Sequence, residues 1–212
     1  MNRLKNGFLC VFEGIDGAGK TTVMQAVGQQ LQRLGYDILS TKQPGGTPLG
    51  ASIRDVLQAR AGTIDPKAEF FLFAADRAEH INKVVVPALQ SGYVVLADRM
   101  GDSSVAYQGY GRGVDSAMIK TVNAWAMSGI KPNLTVYIKV PYDIARERVH
   151  GRGEAKTAFE REKQAFFQRV AEGFERIFSD RDDVLVCDGH LEPAEISSMI
   201  VSAIQGMLPR ER

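Results

Sequence analysis

The sequence predicts an α/β fold, a parallel sheet flanked by helices on both faces. Three observations predict it. Short apolar runs recur along the chain and are nearly continuous rather than alternating, the pattern of strands covered on both sides. Longer amphipathic stretches separate them, giving a β-α-β rhythm. A glycine-rich loop stands at the junction of the first run and the first amphipathic stretch.

Taken in order, the first run covers residues 8–12 and leads through the loop into an amphipathic helix over 21–34. A second run over 36–41 is followed by helical patterns over 51–60 and 68–90. Pro87 lies inside the second of these, where its missing N–H and its ring predict a kink or a break between two helices. The third run, 93–97, precedes a helix over 115–127, and the fourth spans 134–140. The stretch 146–161, RERVHGRGEAKTAFER, is strongly charged and has little apolar periodicity in its middle. It reads either as a solvated helix face or as a mobile lid. A fifth run, 184–187, and a helix over 193–207 close the pattern. With no internal repeat, low-complexity tract or proline-rich linker, residues 1–212 are expected to form one domain, with 146–161 as an insert in it.

The 212 residues are enough to bury a real core, and 44% hydrophobic with 24% charged residues is ordinary for a globular chain. A formal net charge of +1 argues against a large sequence-independent nucleic-acid surface but suits a small phosphorylated ligand. Cys10 and Cys187 each sit within an apolar run and read as reduced core thiols, with no metal site or disulfide framework. Glu13 cuts the first apolar stretch to about six residues, too short for a signal core or a membrane span. The expectation is a cytoplasmic protein that does not engage membranes.

Gly14-Ile15-Asp16-Gly17-Ala18-Gly19-Lys20-Thr21 matches G-x-x-x-x-G-K-[ST] in full. Phosphate oxygens have to be ringed by backbone N–H groups, which requires glycine where a side chain blocks approach or φ is positive. Lys20 then reaches the β- and γ-phosphates, the Thr21 hydroxyl ligates Mg²⁺, and the helix that begins here adds its dipole. The flanking strand and helix make this the strongest signal in the chain, and it means binding of a nucleoside triphosphate. A guanine-reading Asn-Lys-x-Asp motif is absent from the sequence. A small domain with a basic, lid-like stretch points to a phosphotransferase.

Five blocks in order resemble the thymidylate kinase family, and the similarity runs over almost the whole chain. They are FEGIDGAGKTT; PGGTPLG followed by Ile53-Arg54; Phe73-Ala74-Ala75-Asp76-Arg77; Asp98-Arg99 with Ser103-Ser104; and Ala106-Tyr107-Gln108-Gly109. The resemblance implies a P-loop kinase fold, a five-stranded parallel sheet flanked by helices with a short lid. It implies transfer of a phosphoryl group from Mg-ATP to dTMP in dTTP synthesis, and a homodimer packed through helices. ATP is expected on Gly14, Asp16, Gly17, Ala18, Gly19, Lys20, Thr21 and Thr22, with Mg²⁺ held by Thr21 and Asp98.

By the same resemblance, Arg54 and Arg99 clamp the acceptor monophosphate, since guanidinium forks match phosphate oxygens. Phe73 stacks on thymine and Arg77, one helical turn away, reaches the base edge. Phe73 also lies in the apolar run 70–75, so core packing is its rival. Ser104 and Gln108 serve the base or phosphate, Tyr107 lies against the sugar, and Asp16 accepts from the 3′-hydroxyl. Lys20, Asp16, Arg99 and a lid arginine form the expected catalytic set.

Three positions depart from the family pattern. The loop reads Asp16-Gly17-Ala18 and carries no arginine, so the transition-state arginine has to come from the lid, as in bacterial-type members. The lid's usual D-R-x-E reads Thr157-Ala158-Phe159-Glu160, and Arg152, then Arg148 and Lys156, are the substitutes. The usual Arg-Glu before Pro-Gly-Gly is Lys42-Gln43, which removes a carboxylate near the acceptor. Two other readings of the chain are a kinase for another deoxynucleotide and an ATP-binding sensor without turnover.

Overall fold

The computed structural model describes residues 4–60, 64–151 and 162–208. Among them β1 (Phe8–Glu13), β2 (Ile38–Lys42), β3 (Val94–Asp98), β4 (Leu134–Lys139) and β5 (Val184–Asp188) form one sheet in the order β2-β3-β1-β4-β5. Every neighbouring pair is parallel. The central place of β1 follows from its residues: Phe8, Cys10 and Phe12 join one core and Leu9 and Val11 the other, all buried. β2, with Ser40, Thr41 and Lys42, is only partly covered and takes an edge. Strands β1, β3 and β5 run one residue beyond their apolar runs to end on Glu13, Asp98 and Asp188.

One core layer joins the sheet to α1 (Lys20–Arg33), α8 (Gln164–Phe178) and α9 (Pro193–Met207). Val23, Val27 and Leu31 of α1 and Ile196, Ile200 and Ile204 of α9 recur every fourth residue, which aims each row at the sheet. The other layer holds Ile81, Val85 and Met100 under β1 and β3. It is reached by α3 (Pro66–His80), which follows α2 (Pro48–Arg60).

The helical pattern over 68–90 is interrupted, but before Pro87 rather than at it. After α3, Ile81–Val85 form a π-helical turn in which Val86 N–H donates to the Ile81 carbonyl. Pro87 then falls in the first turn of α4 (Val86–Gln90), where a missing N–H costs little. The wider turn absorbs the mismatch that the ring creates in a regular helix.

Periodicity gives no warning of α5 (Gly101–Ser104) and the π-helical stretch Val105–Gly111 that continues it. Its glycines and serines are poor helix formers, so tertiary packing has to hold it. That packing is close: a Cβ on Gly111 would lie 2.6 Å from the Phe166 ring, and one on Gly173 of α8 would lie 2.8 Å from Tyr110. α6 (Ser116–Ala126) follows, capped by the Asp115 carboxylate on Met118 N–H. α7 (Tyr142–His150) takes in residues 146–150 of the charged stretch; residues 152–161 lie outside the described residues.

Candidate active site

The glycine loop leaves the C-terminal end of β1 and becomes α1 at Lys20. Gly14, Gly17 and Gly19 all have positive φ. At Gly17 a Cβ would also strike the Ala145 carbonyl, so α7 presses on the loop from outside. Lys20 is buried and its Nζ donates to the carbonyls of Gly14 and Ile15 at 3.1 and 3.0 Å. Burial, then the neighbouring Arg99 charge, draws its pKa down to about 8.

Not every expected loop residue faces the cavity. Asp16, Gly17, Gly19, Lys20 and Thr21 line it. Ala18 is packed into the core with its N–H spent on the Ile15 carbonyl at 3.2 Å, and Thr22 is exposed on α1. Gly14 acts through the carbonyl it offers to Lys20.

Asp98 closes β3 directly beside Phe12 of β1, which brings it to the loop. The Thr21 hydroxyl donates to Asp98 Oδ2 at 3.1 Å, and Asp98 Oδ1 is buried with no hydrogen-bond partner among the described residues. A hydroxyl and an under-satisfied carboxylate are hard oxygen donors and fit Mg²⁺, which keeps several waters and binds through one or two such groups plus phosphates. Below them Glu13, fully buried, accepts from Met100 N–H, Ser103 N–H and the Ser103 hydroxyl. Burial raises its pKa. Its one sequence signal is an acidic residue ending an apolar run.

The cavity of about 790 Å³ runs from the loop to a second cluster. Arg99 has φ of +69°, unusual for a side chain of its size, and this conformation lets its guanidinium turn back over the loop. Its Nη2 donates to Asp16 and to the Tyr107 hydroxyl, and its Nη1 to Ser103 at 3.0 Å. Tyr107 also accepts from Asp16 N–H at 3.2 Å, while its ring meets Phe166 and Phe174 edge-on. Arg54 reaches the cavity from α2, its Nη1 on the Pro44 carbonyl at 3.1 Å. Gln58, with its amide oxygen turned to Arg54, accepts from Nη2 and Nε at 3.0 and 3.1 Å.

Within the run 70–75 two phenylalanines differ in their surroundings. Phe70 is fully buried in a core cluster, whereas Phe73 is half-buried and lines the cavity. Gln108 lines it too, its amide donating to Glu69 at 2.9 Å.

Arg77, expected to reach the base edge, lines the cavity while its side chain is held by the protein. It is 2% exposed and donates to Gln43 Oε1, Asn123 Oδ1, the Met100 carbonyl and Ser104 Oγ. Those bonds occupy four of the five guanidinium N–H groups, leaving one on Nη1 for a ligand. Desolvation by this burial lowers its pKa to about 10.

A comparison with known families decides what this arrangement belongs to: the family model described as thymidylate kinase matches residues 12–200. The chain belongs to the thymidylate kinase family. It is 40% identical over 204 residues to the thymidylate kinase of Halothermothrix orenii, covering 95% of this chain and 98% of that one. It is likewise 40% identical over 201 residues to that of Carboxydothermus hydrogenoformans, with 95% and 98% covered. The crystal structure of thymidylate kinase from Ehrlichia chaffeensis matches with a TM-score of 0.76 at 29% identity, over 94% of this chain and 99% of that chain. The five-stranded parallel sheet is the P-loop fold expected of this family.

Of the departures from the thymidylate kinase pattern, the one in the lid falls mostly beyond the described residues. Arg152, Lys156 and Ala158 lie outside the described residues. Arg148 lies within them, on α7 beside the loop, donating to the Gly189 carbonyl at 2.9 Å and the Ala18 carbonyl at 3.5 Å. At Lys42-Gln43 the missing carboxylate is replaced by a buried amide between Arg77 and His80. Asp76, next to Arg77 in sequence, turns the other way and accepts from Gly45 N–H at 3.0 Å. Asn123, His80 and Thr41 also surround the site without a local sequence signal, because their partners are remote in the chain.

Proposed function

We propose that the protein transfers the γ-phosphoryl group of ATP to dTMP, releasing dTDP and ADP, as a step toward dTTP. The observation that carries this reading is one continuous cavity with a phosphate loop at one end and Arg54, Phe73, Arg99 and Tyr107 at the other. An oxygen of the acceptor phosphate attacks the γ-phosphorus, the bond to the β-phosphate oxygen breaks, and its electron pair leaves on ADP. The attacking phosphate is already anionic at neutral pH, so positioning and charge stabilisation do the work. Lys20 neutralises charge on the transferred group. Thr21 and Asp98 would hold Mg²⁺, which would offset negative charge on the phosphates of ATP.

Arg99 and Arg54 clamp the acceptor phosphate; Phe73 stacks on thymine and Tyr107 borders the sugar. Ser104, Gln108 and the remaining Arg77 N–H supply polar contacts to the base, and Asp16, on exchanging Arg99 for substrate, accepts from the 3′-hydroxyl. Residues 146–161 act as the lid, with Arg152 first and Arg148 second as its cation, closing the 1–212 domain over both substrates. The same reading makes the protein a cytoplasmic homodimer. No helix among the described residues is long and apolar enough to cross a membrane. Phe71, Met118 and Trp125, exposed on the packed pair α3 and α6, offer an apolar face to a second copy.

The test is to supply Mg-ATP with dTMP, dUMP, dCMP, dGMP or AMP and follow ADP release. Turnover strongest with dTMP and lost in Lys20→Ala and Arg99→Ala supports the reading. ATP binding without turnover on any acceptor overturns it.

A further inference from the structure

Behind the acceptor end of the cavity, Thr41, His80, Gln43 and Arg77 form one hydrogen-bonded row whose direction is dictated from one end. Arg77 only donates, and its Nε gives its proton to Gln43 Oε1 at 3.1 Å. That orients the amide, so its nitrogen faces His80 Nδ1 at 2.8 Å. An amide nitrogen also only donates, which requires a lone pair on Nδ1. The ring proton therefore sits on Nε2, 2.6 Å from Thr41 Oγ1, which accepts it. A second ring proton would set N–H against N–H. Burial and the Arg77 charge draw the imidazole pKa down to about 4, in agreement with a neutral ring.

The seat for this ring is built by Gly46, where a Cβ would collide with the imidazole, lying 2.6 Å from Nε2. Thr41, Gln43 and Arg77 line the cavity, whereas His80, fully buried, stands behind them. Only the Nε side of the Arg77 fork rests on Gln43; Asn123, Met100 and Ser104 hold the rest.

We infer that His80 is a positioning residue for the acceptor site: as the neutral Nε2–H tautomer it orients the Gln43 amide and, through it, the Arg77 guanidinium. The inference rests on the proposed dTMP kinase reading for its effect on substrate, but not for the tautomer. It also explains the Lys42-Gln43 sequence. A glutamate at position 43 would accept from both neighbours and demand a proton on Nδ1, whereas glutamine matches a neutral ring.

The experiment combines ¹⁵N spectra of the imidazole rings in the full chain with kinetics and calorimetric dTMP binding of variants. The wild type is expected to show a lone-pair Nδ1 and a protonated Nε2. His80→Leu leaves the buried Gln43 N–H unpaired and is expected to weaken dTMP about tenfold, in KM and in binding, with kcat and the KM for ATP within about twofold. His80→Asn, whose Oδ1 occupies the place of Nδ1, recovers most of that loss. Gln43→Glu moves a proton onto Nδ1 and raises the His80 titration. A protonated Nδ1 in the wild type, equal losses in His80→Leu and His80→Asn, or a loss in kcat or ATP rather than dTMP overturns the inference. If His80→Leu does not fold, the spectra of Gln43→Glu decide, an unchanged Nδ1 being the contrary result. If the wild type does not phosphorylate dTMP, the functional reading falls while the tautomer and dTMP binding still test this one.

Discussion

Arg99 Nη2 lies 2.6 Å from Asp16 Oδ1, although 83 residues separate them. The pair ties the glycine loop to the end of β3 and is mostly withdrawn from water, at 16% and 29% side-chain exposure. On the proposed reading an arriving phosphate takes the same guanidinium, so substrate has to replace Asp16 as its partner. On that reading one ion pair holds the site together before binding and releases a carboxylate to the sugar after it.

The fork geometry, rather than charge alone, is what the phosphate recognises. Arg99→Lys is expected to lower kcat/KM for dTMP about 10²-fold and Arg99→Ala about 10³-fold, the range for lost preorganised donors. Asp16→Asn keeps the fold and lowers kcat. Steady-state kinetics with dTMP varied checks all three.

Lys20 supplies a pH dependence. Its pKa, drawn down to about 8, means that the free protein loses this charge as pH rises through that value, and phosphate binding shifts it back up. kcat/KM for ATP is therefore expected to fall above about pH 8, while kcat holds to higher pH. For stability the sign is opposite. The unfolded chain keeps the Lys20 proton up to its ordinary 10.5, so the burial penalty is full below about 8 and fades as pH rises toward 10.5. Rate profiles between pH 6 and 10 test the first statement, and denaturant melts of wild type against Lys20→Met the second.

On the proposed reading Thr21 and Asp98 share the metal role. Thr21→Val, close in shape, and Asp98→Asn, lacking the charge, are each expected to raise the Mg²⁺ concentration for half-maximal rate more than about tenfold. Magnesium titration of the rate at saturating nucleotides reads this directly.

Packing of the π-helical stretch on α8 leaves no room at Gly111. Gly111→Ala is expected to destabilise the protein by about 1–3 kcal/mol through displaced Phe166 and Val170. Because Tyr107 packs on Phe166, the KM for dTMP rises as well. Thermal melts and kinetics together separate the two effects.

Trp125 is 85% exposed, an unusual place for a large aromatic. If the proposed homodimer packs on this face, Trp125→Asp combined with Phe71→Asp is expected to give a monomer in sedimentation where the wild type sediments as a dimer, with little change in secondary structure by circular dichroism.

Much of this was legible from residue order. The five strands show as continuous apolar runs because both faces of a central parallel sheet are covered, as with Phe8 to Phe12. The loop shows because backbone N–H groups, positive φ and one lysine must follow one another within eight positions. Pro87 marked an irregular helix, but the π turn that accommodates it lies at Ile81–Val85. The helical stretch 101–111 left no periodic trace, since its glycines answer to close neighbours on other elements, Met127 at Gly101, Ser116 at Gly109 and Phe166 at Gly111, rather than to helix propensity.

What the sequence by itself determined was the layer order of the fold and the chemistry of the phosphate end, both written in local spacing. Only the tertiary structure decided the acceptor end. Arg77 looks in sequence like a free cation one turn from Phe73, yet its acceptors come from 23 to 46 residues away and bury it. Glu13, His80 and Gln43 acquire their roles in the same way. Hydrogen bonds between buried polar groups depend on where elements cross, and no spacing along the chain encodes that crossing.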